Sequence, residues 1–194
     1  MNNLQKYYNQ SIKKDLILKY SYKKIKDIPK ITKIILNFGC KTTDFFNISS
    51  ALLFLELVTK KKSTITEAKK PSMLLKIRKG NVVGCKVTLT DSHIYDFLFK
   101  LLTIVFPNMK NFGGIEISRK KLLKKSFSFS IVDFTGFKDL EKQLYLFPKL
   151  PPLNVTLLAS TKTQNELLYL LQSFKLPSVL SKKMFCSCNS IGRV

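Results

Sequence analysis

The sequence predicts an α+β fold: a mostly antiparallel sheet with helices packed on one face and the other face left open. Three observations carry that prediction. Segments alternating with a period of two are separated by segments with a helical period, each alternating segment is apolar on one side only, and no internal repeat or linker divides the chain. At 194 residues the chain fits one domain, expected over residues 1–177, with 178–194 as a C-terminal extension. A chain of this length can bury about 70% of its unfolded surface, so it needs no metal or disulfide to fold.

The elements follow in order. Residues 3–19 read as a helix, because Leu4, Tyr7/Tyr8, Ile12 and Leu16 form an i, i+3/i+4 stripe. Pro29 closes the basic connector behind it. ITKIILNFG (31–39) sets Ile34, Leu36 and Phe38 against Lys33, Ile35 and Asn37, and Gly39 ends it. A second helix is expected to start near Asn47 or Ser49, both good N-caps, and to run through ALLFLELV. Lys60, Lys61 and Lys62 then suit the negative end of its dipole. STITEA (63–68) is a short strand and KKPSMLLKIRKGN (69–81) a basic loop holding Pro71 and Gly80. NVVGCKVTL (81–89) puts Val83, Cys85, Val87 and Leu89 on an apolar side, with Gly84, Lys86 and Thr88 on the other.

Asp91 or Ser92 is expected to cap a third helix, carrying Ile94, Phe97/Leu98, Leu101/Leu102 and Val105 and stopped by Pro107. SFSFSIV (126–132) alternates three apolar residues with Ser126, Ser128 and Ser130. NVTLLAST (154–161) buries Val155, Leu157 and Ala159 and shows Asn154, Thr156 and Ser160. Thr163-x-x-Glu166 has capping-box spacing and opens a helix with Leu167, Leu170, Leu171 and Phe174, ended by Pro177. The tail from Ser178 to Val194 has no periodicity and is expected to be mobile or docked on a partner.

Charge selects the partner class. The chain has 34 Lys plus Arg against 12 Asp plus Glu, a net charge of +22 and a pI near 9.9. Self-repulsion of that size opposes compactness unless a polyanion neutralises it. Basic residues in loops and at sheet edges, not along one helix, favour nucleic acid over a membrane surface. Between Lys60 and Lys86 stand nine cations and a single acid, Glu67, a density suited to phosphates. SRKKLLKKS (118–126) adds Arg119, Lys120, Lys121, Lys124 and Lys125. Three strands offer Ser, Thr, Asn or Lys on their polar sides, a surface able to hydrogen-bond RNA. A plain solvated sheet face has the same pattern.

Other classes find little support. His93 is the only histidine and sits at a helix start, and no phosphate-cradling glycine loop is present. Cys186-x-Cys188 is a weak metal hint with no second pair of ligands, and Cys85 reads as a small buried hydrophobe. The apolar stretches near 45–55 and 97–106 fall short of the about 20 residues a bilayer span needs. The expectation is a binding protein without enzymatic activity, cofactor or metal, and without a membrane partner. The Lys-, Phe-, Ile- and Asn-rich composition is that of an A/T-rich gene. With no presequence in view, it points to a protein made inside a mitochondrion, with a bacterial cytoplasm or a plastid as the alternative.

Several motifs occur together in a familiar order: IPKITKIILNFG, STITEAKKPSMLLKIRKGNVVGCKVTL, IYDFLFKLLTIVFP, MKNFGGI and TLLASTKTQNELLYLLQSFKLP. In this order they resemble the universal large-subunit ribosomal protein L-five family over roughly residues 4–177. The resemblance implies an α+β protein that holds 5S ribosomal RNA in the central protuberance. It points to Asn37, Thr64, Thr66, Lys69, Lys70, Lys86 and Thr88 as RNA-binding residues. It implies that the loop from Met73 to Gly80 reaches toward P-site transfer RNA through Lys76, Arg78 and Lys79. It also implies contacts with large-subunit ribosomal RNA and neighbouring ribosomal proteins, one of them in the small-subunit head. Two departures stand out. SRKKLLKKSFSFS replaces a Gly-rich loop, and Glu67 stands where the family more often has Lys. Where 5S RNA is absent, the same family resemblance allows a scaffold held mainly by protein and other ribosomal RNA.

Overall fold

The computed structural model describes residues 3–40, 45–110, 112–117, 122–138, 140, 145, 147 and 150–180. Seven strands are defined in it: β1 (Ile31–Gly39), β2 (Thr64–Glu67), β3 (Val82–Leu89), β4 (Ile115–Ile117), β5 (Ser126–Ile131), β6 (Leu153–Ala159) and β7 (Ser178–Leu180). Five of them form one antiparallel sheet in the order β2–β3–β1–β6–β5. The predicted alternation holds along it. Ile34, Leu36 and Phe38 of β1, Cys85, Val87 and Leu89 of β3, Phe127, Phe129 and Ile131 of β5, and Val155, Leu157 and Ala159 of β6 are buried in a common core. The α+β expectation is met.

Helix α1 runs without a break through Asn3–Tyr7, a π-helical turn at Tyr8–Ile12, and Lys13–Lys19. Tyr8 stacks on Phe174 with ring centroids 6.0 Å apart and donates from its hydroxyl to the Pro29 carbonyl at 2.8 Å. Helix α2 (Phe45–Thr59) packs on β3. It already includes Asn47 and Ser49, so neither is its N-cap. Ser49 instead donates back to the Phe46 carbonyl inside the first turn, a common use of serine within a helix. Lys60 closes α2 in the left-handed region, with φ 53°.

Helix α3 begins at Ser92–Lys100 and continues through a π turn, Leu101–Val105, into Phe106–Asn108. Asp91 occupies the N-cap position without a side-chain cap bond. The helix ends at Asn108, one residue past Pro107, where the expected stop lies. A proline ring crowds the carbonyl four residues back, and the wider π turn immediately before it relieves that conflict. Helix α4 (Gln164–Ser173) has the expected Thr163 cap, whose hydroxyl accepts from the Glu166 N–H. Glu166 reaches back to the N–H of Lys162, one residue earlier than a standard capping box. Beyond Pro177 the chain does not fall slack at once: Ser178–Leu180 pair in parallel with Ile115–Ile117. The segment 181–194, with Cys186 and Cys188, lies outside the described residues. No helix of the described residues is long and apolar enough to cross a membrane.

The pairing of β3 departs from simple alternation at one place. Thr66 faces Gly84 but Glu67 faces Val82, so Val83 is an extra residue and the strand bulges there. Val83 is consequently half-buried, unlike Cys85, Val87 and Leu89. Gly84 sits beside this bulge, where a Cβ would stand 2.2 Å from the Phe38 carbonyl oxygen and 3.2 Å from the Thr66 hydroxyl. Gly39, its partner across β1, has open space around it. Gly84→Ala is therefore expected to lower stability by about 1–3 kcal/mol, the range for overpacking a filled site, and Gly39→Ala to change it little. Denaturant midpoints of the two variants check this; equal shifts would mean the strands can part without cost.

Candidate nucleic-acid interface

The polar sides of the five strands come into register. Thr64 lies opposite Lys86, Lys86 opposite Asn37, Asn37 opposite Asn154, and Asn154 opposite Ser130. At 4.7–4.9 Å per strand this row is about 19 Å long. Thr64, Lys86, Asn154 and Ser130 are exposed and Asn37 half-buried. A second row runs Thr88, Ile35, Thr156, Ser128. The first row is neutral except for Lys86, and its hydroxyls and amides both donate and accept. It can therefore hydrogen-bond sugar hydroxyls, phosphates or base edges alike. Thr64 also donates to the Lys86 carbonyl at 3.1 Å, tying the edge strand to its neighbour.

Five of the seven residues expected to bind RNA thus share one sheet face: Asn37, Thr64 and Lys86 in the first row, Thr88 in the second, and Thr66 opposite Gly84. Lys69 and Lys70 leave the end of β2 and are exposed. Asn154, Thr156, Ser128 and Ser130 join the same surface. Their polar faces are legible in the sequence, but only the strand order brings them beside Asn37.

The basic stretch 69–81 is a hairpin, not an open loop. Ser72 and Ile77 exchange backbone hydrogen bonds of 2.9 and 3.0 Å, and Lys76 turns back onto the Met73 carbonyl with φ 51°. Ala68 and Asn81 close its base. The hairpin tip is apolar, with Met73 and Leu74 almost fully exposed at 98% and 97%. Lys76, Arg78 and Lys79 are exposed along it or, for Lys76, at its turn. Where the hairpin joins the sheet, Lys69, Lys79 and Lys86 line a cleft of about 490 Å³ with Ile65, Thr66 and Glu67. Gly80, at φ 87°, makes the turn that brings Lys79 there. One cation of the stretch 60–86 is engaged elsewhere: the Lys61 ammonium donates to the Thr88 carbonyl at 2.8 Å.

The described part of the second basic cluster is not brought to this site. Lys124 and Lys125 are exposed just before β5, at the opposite edge of the sheet from β2. Arg119, Lys120 and Lys121 lie outside the described residues. Cys85 is fully buried, and burial pushes its thiol up to about 12, with a smaller contribution from the nearby Cys40. It remains a neutral, apolar group at physiological pH, as its place on the buried face suggests. His93 is exposed near the start of α3. Among the described residues, no three His, Cys, Asp or Glu side chains come together as a metal site.

Comparison with known proteins gives this surface its context. A model of the C-terminal region of the ribosomal L-five protein family matches residues 82–178. The large ribosomal subunit protein uL5m of Reclinomonas americana is 36% identical over 179 residues, covering 91% of this chain and 98% of that protein. The chain belongs to the ribosomal L-five family. The large ribosomal subunit protein uL5 of Nitrosomonas europaea is 34% identical over 91% of this chain and 98% of its own. That of Mycoplasma capricolum is 32% identical over 91% and 97%. The resemblance carried by the motifs is thereby established over most of the chain. Membership also agrees with the expectation of a binding protein, since proteins of this family are structural, non-enzymatic ribosomal components.

Proposed function

We propose that this chain is a structural constituent of the large ribosomal subunit that holds 5S ribosomal RNA in the central protuberance. The observation that carries this reading is the polar row Thr64–Lys86–Asn37–Asn154–Ser130, laid beside a lysine-lined cleft in a chain of net charge +22. Hydroxyls and amides on a rigid sheet can address riboses and base edges, while Lys69, Lys70 and Lys86 neutralise phosphates. Large-subunit ribosomal RNA and neighbouring ribosomal proteins complete the surroundings. The hairpin tip, with Lys76, Arg78 and Lys79 behind it, faces P-site transfer RNA, and a further surface meets a protein of the small-subunit head.

One observation supports a second reading, a central-protuberance scaffold in a ribosome without 5S RNA. The cations Lys124 and Lys125 stand at the far edge of the sheet, away from the polar row's lysine, which suits a second polyanion or an acidic protein there. The A/T-type composition favours a mitochondrial ribosome, with a bacterial or plastid one as the alternative. Relatives named uL5m and uL5 match to a similar degree.

Lys86→Glu tests the first reading. Lys86 is exposed, so the variant's thermal midpoint should stay within about 1–2 °C of the wild type, as surface substitutions do. Affinity for 5S RNA in a filter-binding assay should fall at least about tenfold, since a favourable phosphate contact becomes a repulsive one. Unchanged affinity would remove the sheet face from the RNA interface.

A further inference from the structure

Glu67 is the one acid among the nine cations of residues 60–86, and the fold leaves it accessible. It ends β2 beside the Val83 bulge and lines the cleft with Lys69, Lys79 and Lys86. Among the described residues its carboxylate forms no ion pair and no hydrogen bond, although three lysines line the same cleft. A cleft that only gripped phosphates would gain nothing from this carboxylate, which repels them and offsets a cation. A carboxylate also cannot donate at neutral pH; it only accepts.

What a carboxylate can take from RNA is a base edge. Guanine is the base whose Watson–Crick edge offers two adjacent donors, N1–H and the N2 amino group, spaced for the two oxygens of a carboxylate. Adenine and cytosine set a donor beside an acceptor there, and uracil sets its donor between two acceptors. In a duplex that edge is occupied, so the guanine must be unpaired. The cleft, at about 490 Å³, is within the roughly 300–1,000 Å³ of small-ligand sites. Half-exposed Ile65 gives it an apolar wall for the flat face of a base.

We infer that Glu67 is a specificity-determining residue that reads an unpaired guanine of ribosomal RNA, while Lys69, Lys79 and Lys86 hold the adjoining phosphates. The inference rests on the RNA-binding reading above. It is tested with the full chain and a pool of RNA hairpins carrying randomised loops, sequencing the bound fraction. The wild type should enrich loops with guanine at one position. Replacing that guanine by inosine, which keeps N1–H and lacks the amino group, should weaken binding about tenfold, the scale of one lost base contact. Glu67→Gln should collapse the guanine-over-inosine ratio toward one while binding guanine-free loops as well as the wild type or better. Its exposed edge position makes unfolding no obstacle, and an unchanged melting curve confirms that. Salt-sensitive binding with no guanine preference, or a preference that survives Glu67→Gln, overturns the inference and leaves RNA binding standing. No binding to any loop at low salt overturns both.

Discussion

Raising monovalent salt from about 50 to about 200 mM is expected to lower the affinity of this chain for ribosomal RNA by about 10³-fold or more, the loss typical of six or more phosphate contacts. The cations for that many contacts are at hand. Lys69, Lys70, Lys76, Arg78, Lys79 and Lys86 are all exposed on or beside one hairpin, and Lys61 is set apart because it serves the Thr88 carbonyl. Each neutralised phosphate releases condensed counterions, and that release is worth less as bulk salt rises. The slope of log affinity against log salt should also become shallower by about one for each lysine removed from the set. Filter binding or fluorescence anisotropy across the salt range measures it. A flat titration would mean that the chain is held by apolar and protein contacts, with its charge serving only a distant field.

The second large effect concerns the core. Phe54 of α2 is fully buried and meets Phe38, Phe134, Phe137 and Phe147 edge to face, with ring centroids 5.0–5.6 Å apart. Phe38 belongs to β1, so this one ring joins the helix layer to the central strand and to the segment after β5. Phe54→Ala is expected to cost about 3–5 kcal/mol, the usual penalty for truncating a buried phenylalanine. For a chain of this size that lowers the melting temperature by about 6–20 °C. Leu53→Ala, one residue away and 43% exposed, should cost under about 1 kcal/mol. Circular-dichroism melts of the two variants separate the cases. Equal losses would show that the aromatic cluster is not where the two layers are joined.

Local pattern accounts for much of the fold. The alternation in β1, β5 and β6 named the buried face of each strand correctly, since a side chain on a strand has only two sides to choose from. The stripe in α1 and the Thr163 cap of α4 were readable for a related reason: both depend on residues close together in the chain. Where packing intervened, the pattern misled. Asn47 and Ser49 resemble caps, yet α2 is apolar on most of its circumference and already includes Phe45 and Phe46. Ser178–Leu180 has no periodicity of its own and is ordered only by pairing with Ile115–Ile117, more than sixty residues earlier. The family motifs named Lys86 and Asn37 together, while their direct opposition across β1 and β3 belongs to the pairing register.

By itself the sequence determined which residues are greasy and which are polar along each element, the large positive charge and hence a polyanionic partner, and the family. These are properties of neighbouring residues or of simple sums, so no folded geometry is needed to read them. Only the tertiary structure decided that five separate polar stretches line up as one row, that the hairpin presents an apolar tip on a basic stem, and that Glu67 shares a cleft with three lysines it does not pair with. Those relations join residues far apart in the chain. They depend on strand order, on register and on a single extra residue at Val83, where a shift of one position would turn every side chain of a strand to the opposite face.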